Sequence, residues 1–192
     1  MYEIPTEVLV NGQSYAIRNR GDFRMVLDCF VALNDYELNK TERVCSSLII
    51  FYDDIEDLSD LEMFADVDEA IKQMYRFFNC GRDDVYQRDL PKLLDWEQDS
   101  QLIASAVNKV AGKEIREEEY IHWWTFMGYY TAIGQSALAT VVSIRDKIVK
   151  GTKLEKWERQ FKQENPQYFV WDRRTNEDRE LDELMKSMWN NE

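Results

Sequence analysis

The sequence is poor in the residues that brace or interrupt a chain. It holds three prolines, seven glycines, three cysteines and one histidine in 192 residues. Cys29, Cys45 and Cys80 lie far apart with no CxxC pair. That spacing gives no disulfide framework and fits buried thiols in a reducing compartment. A single histidine argues against a di-iron centre, which needs two ExxH motifs and further glutamates, although Glu119-Tyr120-Ile121-His122 has one such spacing. Zinc needs four closely grouped ligands, which the scattered cysteines do not offer. No metal or cofactor is therefore expected. Phosphate-cradling GxxxxGK[ST] and GxGxxG loops are absent, as is the Gly-x-Ser-x-Gly turn of a hydrolase nucleophile. No apolar run reaches the roughly 20 residues of a membrane span. Met1 is followed by Tyr-Glu-Ile-Pro, with neither the basic start nor the apolar run of a secretory leader, so a cytoplasmic location is expected. Basic residues are also scarce: 24 Lys and Arg stand against 37 Asp and Glu, for a net charge of −13. That balance disfavours binding nucleic acid through its phosphates and repels anionic membranes. It suits a basic protein partner, or simply a solvated acidic surface.

What the chain does have is aromatic residues at helical spacing. Glu117 to Ile133 opens with three acids, which suit the positive end of a helix, and then turns apolar on nearly every side. Tyr120, Trp123, Trp124, Met127 and Tyr130 mark one stripe, and Phe126, Tyr129 and Ile133 a neighbouring one. A helix apolar all round must be enclosed, so this one is expected at the centre of an all-α core, with Gly128 as a place where another helix comes close.

Around it the chain reads as follows. Val8 to Ile17 is a β-hairpin turning at Asn11-Gly12, with Val8, Val10, Tyr15 and Ile17 on its inner face. Asp22 caps a first helix whose stripe is Phe23, Val26, Leu27, Phe30 and Val31. A second helix starts at Asn39 with Glu42 in capping-box position, and Val44, Cys45, Leu48, Ile49 and Tyr52 form its inner face. Asp53 to Asp60 is expected as a loop. A third helix begins near Asp66, turns Ala70, Ile71, Met74, Tyr75, Phe77 and Phe78 inward, and stops at Gly81. Arg82 to Leu93 is a surface loop. Asp95, with Gln98, starts a fourth helix whose inner residues are Trp96, Leu102, Ile103, Ala106, Val107 and Val110. Asp99 falls on its apolar side and needs a partner. Ser136 begins a helix bearing Leu138, Val141, Val142, Arg145 and Ile148. Thr152 with Glu155 begins another, with Leu154, Trp157 and Phe161 inward, which Pro166 stops. The fold expected is mainly α, a compact multi-helix bundle around a central aromatic helix with a small N-terminal β-hairpin. Residues 1–165 form that domain, and 166–192 form a C-terminal extension with a short amphipathic helix.

The expected structural core is Trp96, Asp99, His122, Trp123, Trp124, Phe126 and Met127. His122 reads as a buried imidazole hydrogen-bonded to a carboxylate, Asp99 or Glu119, in preference to a catalytic base. Aromatic and apolar residues late in the chain, Tyr168, Phe169, Trp171, Leu181, Leu184, Met185, Met188 and Trp189, either mark a partner surface or fold back on the domain.

Two blocks together carry a family likeness: Leu94-Asp95-Trp96-Glu97-Gln98-Asp99, and Glu119-Tyr120-Ile121-His122-Trp123-Trp124-Thr125-Phe126. The pairing resembles the gene-product-fifteen family of tailed phages and prophages of Gram-positive bacteria. Tyr15-Ala16-Ile17 followed by Asp22-Phe23-Arg24, the aromatic segment from Met74 to Cys80-Gly81, Arg145 and the helix from Lys153 fit the same pattern. The likeness covers about residues 8–165. Genes of this family lie just ahead of the tape measure gene, and its members are regarded as tail assembly proteins of the chaperone type. The resemblance implies a non-enzymatic protein, acting in the bacterial host cytoplasm during phage assembly, whose partner is the tape measure protein. Tail tube subunits or a second tail chaperone are further candidate partners. A structural tail or connector component of the virion is the alternative. An acidic nucleic-acid mimic is a weaker one, because the acids are scattered among Lys and Arg.

Overall fold

A computed structural model of the chain describes residues 3–64, 66–83 and 93–170. The candidates Trp171, Leu181, Leu184, Met185, Met188 and Trp189, and most of the loop expected at 82–93, lie outside those residues. Strands β1 (Glu7–Val10) and β2 (Gln13–Ala16) pair antiparallel, with Val8 opposite Tyr15. Asn11 and Gly12 turn the chain with φ of 50° and 87°, the two positive values a tight hairpin of this hand requires. Val10, Tyr15 and Ile17 are buried. The Tyr15 ring packs on Tyr52 and Phe64, which seats on helices a hairpin that alone would be marginal.

Three residues in left-handed conformation follow: Asn19, Arg20 and Gly21, with φ of 48°, 53° and 77°. Only glycine takes this region freely, and at Gly21 there is no room besides. A Cβ there would meet Phe77 Cζ at 2.7 Å and His122 Nε2 at 3.0 Å. Gly21→Ala is expected to cost about 2–4 kcal/mol, the sum of left-handed strain and overpacking. An unchanged denaturation midpoint in that variant would show that the Phe77 ring yields freely.

Seven α-helices follow among the described residues: α1 (Phe23–Asn34), α2 (Lys40–Phe51), α3 (Val67–Phe78), α4 (Ser100–Ala111), α5 (Trp123–Thr131), α6 (Ala137–Val149) and α7 (Lys156–Glu164). The fold is mainly α, with a small hairpin and a buried aromatic cluster. Several starts are written locally. Asp22 accepts from Arg24 N at 3.0 Å, Asn39 and Glu42 make a full capping box, Asp66 caps α3 and Ser136 caps α6.

Other expectations shift. Val31 and Tyr75, placed inward by periodicity, are 45% and 41% exposed. On α1 the buried face instead includes Met25 and Cys29. Burial pushes the Cys29 thiol up to about 12, so it packs as an inert apolar group. The acidic segment 53–60 is not only loop: Ile55 is fully buried, and Asp57 caps a 3-10 turn, Leu58–Met63. Helix α4 begins at Ser100, not Asp95. Asp95 Oδ1 accepts from Glu97 N and Gln98 N, which closes a turn ahead of the helix. Helix α7 likewise starts one turn late, because its capping box is Glu155 with Glu158 and not Thr152 with Glu155. Ile148 on α6 and Trp157 on α7 are exposed, whereas Ile144 is buried.

The central segment departs furthest from its sequence pattern. Its helix is only Trp123–Thr131. Glu117 to Ile121 is not helical, because Ile121 and His122 pair with the start of α1: Phe23 N donates to Ile121 O at 2.9 Å, and Asp22 bridges His122 antiparallel. Tyr120 is 42% exposed and its hydroxyl donates to Arg20 O at 2.9 Å. Gly128 is exposed, and a Cβ added there would touch nothing within 4 Å, so no close helix approach occurs at that point.

Candidate functional site

Among the described residues the buried charged side chains fall in three groups, and each holds a helix end. The first joins the starts of α1 and α5. Asp22 caps α1, takes a two-point contact from the Arg24 Nη1 atom at 3.1 Å to each oxygen, and accepts Ile121 N on Oδ2 at 2.9 Å. Arg24 Nη2 reaches past it to the carbonyls of Ile115 and Glu118. Opposite Asp22, His122 is the cap of α5: Nδ1 lies 3.0 Å from Trp124 N, and Nε2 lies 2.9 Å from Pro5 O. Trp124 N can only donate and Pro5 O can only accept, so the imidazole is neutral with its proton on Nε2. The carboxylate partner expected from Asp99 or Glu119 is thus replaced by two backbone groups.

Burial lowers the His122 pKa below its ordinary 6.5, against smaller opposing effects of the Pro5 hydrogen bond and the Asp22 charge. The unfolded chain therefore binds this proton more tightly than the folded one. The stability that neutral His122 contributes is complete above about pH 6.5 and is lost as pH falls through that value toward the folded pKa, at up to about 1.4 kcal/mol per pH unit. Replacement by asparagine, which also caps helices, removes this titration. The gap in stability between wild type and His122→Asn is expected to narrow from pH 7 to pH 5, as read from urea midpoints. A constant gap would mean that the imidazole is solvated.

The second cluster joins α4 and α6. Asp99, on the apolar side of its turn, is met by Arg145: Nη1 to Oδ2 at 2.6 Å and Nη2 to Oδ1 at 2.9 Å. Both side chains are almost fully buried, at 5% and 0% exposure. Asp99 Oδ2 also accepts Asp95 N, while Arg145 donates to Leu93 O and, through Nε, to Tyr168 O at 2.8 Å. Every charge here is paired and hydrogen-bonded, which a buried ion pair requires. A third buried carboxylate, Glu158, takes Lys147 Nζ and Glu155 N, and both contacts hold its pKa below the ordinary value.

The remaining expected core residues fall close by. Trp123 and Phe126 are 1% exposed. Trp96, Trp124 and Met127 are partly buried against the same core. Of the partner-surface candidates, Tyr168 and Phe169 are half-buried: Arg145 holds the carbonyl of Tyr168, and the Phe169 ring meets Phe161 edge-on at 6.3 Å. Residues 166–170 thus pack on α6 and α7. Sequence reasoning missed the two arginines that tie loops together, Arg24 and Arg18. Arg18 Nη2 donates to the carbonyls of Tyr52 and Ile55, and no local pattern marks it.

Among the described residues no group of three or more His, Cys, Asp or Glu could hold a metal ion. None of the described helices is long and apolar enough to cross a membrane. A family model described as Bacteriophage Gp15 protein matches residues 2–169. No curated protein and no solved structure matches the chain.

Proposed function

The chain belongs to the Bacteriophage Gp15 protein family, and from that premise we propose that it is a non-enzymatic tail assembly protein, a chaperone that binds the phage tape measure protein. Family membership supports the coarser statement, that this is a phage structural or assembly protein. The observation that favours a binding role over chemistry is the commitment of the buried ionisable groups. Asp22, Asp99, His122, Arg145 and Glu158 each hold a helix end or another buried charge. What is left to act is the surface, with its net acidic charge.

The physical task suits such a surface. A tape measure protein exposes apolar helical stripes until the tail tube closes round it, and a helical protein can cover such stripes by groove docking. The binding would take place in the host cytoplasm during assembly, with tail tube subunits or a second tail chaperone as further partners. The test is co-expression with segments of the tape measure protein of the same phage. The reading expects those segments to move into the soluble fraction and to co-purify with the chain. Segments equally insoluble with and without it would overturn the reading. If mass spectrometry finds the chain at fixed copy number in purified particles, the structural-component reading replaces the chaperone.

A further inference from the structure

An open pocket of ≈ 500 Å³ lies along α7, lined by Lys153, Leu154, Arg159, Lys162 and Gln163. In a chain of net charge −13 this is a local reversal of sign. Lys147 and Lys150 nearby are paired with Glu158 and Asp146. Lys153, Arg159 and Lys162 have no carboxylate partner among the described residues. Three unpaired cations around one concavity repel one another, and an anionic occupant relieves that repulsion.

We propose that the occupant is the acidic run 177–183 of this chain's own C-terminal segment. Glu177, Asp178, Glu180, Asp182 and Glu183 place five acids in seven residues, against the single Arg179. The chain leaves the described fold beside the helix that carries the pocket: Phe169 packs on Phe161 of α7, and Gln98 Nε2 donates to Val170 O at 2.7 Å. Residues 171–176 then intervene, a tether of about 20 Å when extended, which exceeds the roughly 10–12 Å breadth of a helix. A short tether keeps the run at an effective concentration on the order of millimolar, so ion pairing too weak to retain a free peptide is enough here. Docking of this kind places the late apolar residues Leu181, Leu184 and Met185 next to α7, where a partner must compete for them.

Zero-length carbodiimide coupling of the full-length chain, followed by peptide mass spectrometry, tests it. The expected product joins Lys153 or Lys162 to an acid in 177–183. In a mixture of isotopically light and heavy protein that product stays within one chain. The yield falls several-fold at about 1 M salt, where screening acts within about 3 Å. It is lost in the triple variant Lys153→Glu, Arg159→Glu, Lys162→Glu, and a crosslink between the same two segments, with amine and carboxylate partners exchanged, forms when Glu177→Lys, Glu180→Lys and Glu183→Lys are added. A wild-type chain that gives no such product, or gives it only between light and heavy copies, overturns the proposal; the second result assigns the pocket to a neighbouring copy.

Discussion

Trp123→Ala is expected to lower the unfolding free energy by about 3–5 kcal/mol, the range for truncating a fully buried large aromatic. The indole is 1% exposed. It stacks on Phe126 at 5.5 Å and meets Phe30 and Trp96 edge-on at 5.7 and 5.8 Å. Its Nε1 donates to Phe78 O at 2.9 Å, which fastens α5 to the last residue of α3. Truncation therefore opens a cavity among rings from three parts of the chain and leaves a buried carbonyl short of a donor. Trp124 is the control. It is only half-buried, lies over Gly81 and donates to Phe77 O at 3.0 Å. Trp124→Ala is expected to cost about 1–3 kcal/mol, less than its neighbour, because its cavity opens to water. Urea denaturation of both variants checks the order. If Trp124→Ala proves the more damaging, the core lies on the other face of α5.

Asp99→Ala is expected to be comparably severe, at about 3–5 kcal/mol, because it strands the Arg145 guanidinium in the interior without its counter-ion. The size of the loss comes from the orphaned charge rather than from the pair's own worth, and a double substitution separates the two. Asp99→Leu with Arg145→Met removes both charges. That variant should recover most of the loss but keep a deficit of about 1–3 kcal/mol, since the carbonyls of Tyr168 and Leu93 and the amide of Asp95 lose their partners. A double variant no better than the single one would mean that the carbonyl contacts, not the charge, dominate the site.

The features that could be read from the sequence are those decided within one turn of chain. Asn11-Gly12, Asp22, Asn39 with Glu42, Asp66 and Ser136 all act on neighbours two or three residues away, and each was placed where it acts. The same signals misled where the pattern recurs by chance. Asp95 with Gln98 and Thr152 with Glu155 have capping-box spacing, yet Asp95 closes only a turn ahead of α4, and the box that starts α7 is Glu155 with Glu158. The start of α5 could not be read because Glu117, Glu118 and Glu119 suit a position before a helix as well as one inside it. The deciding contacts are those of Ile121 and His122 with Asp22 and Phe23, about a hundred residues earlier in the chain. Asp99 was recognisable as a charge in need of a partner, and Arg145 as a charge on an apolar stripe. Only the packing of α4 against α6 joins them.

The lone histidine, His122, caps α5, so the buried charges maintain the fold and the proposed partner contact falls to the surface. Because His122 is the only imidazole in the chain, its nitrogen spectrum on 15N-histidine-labelled protein reads that assignment directly. The account predicts one neutral imidazole at pH 7, protonated on Nε2 and bare on Nδ1, titrating below 6.5. A proton on Nδ1 at pH 7, or a titration above 6.5, would contradict it.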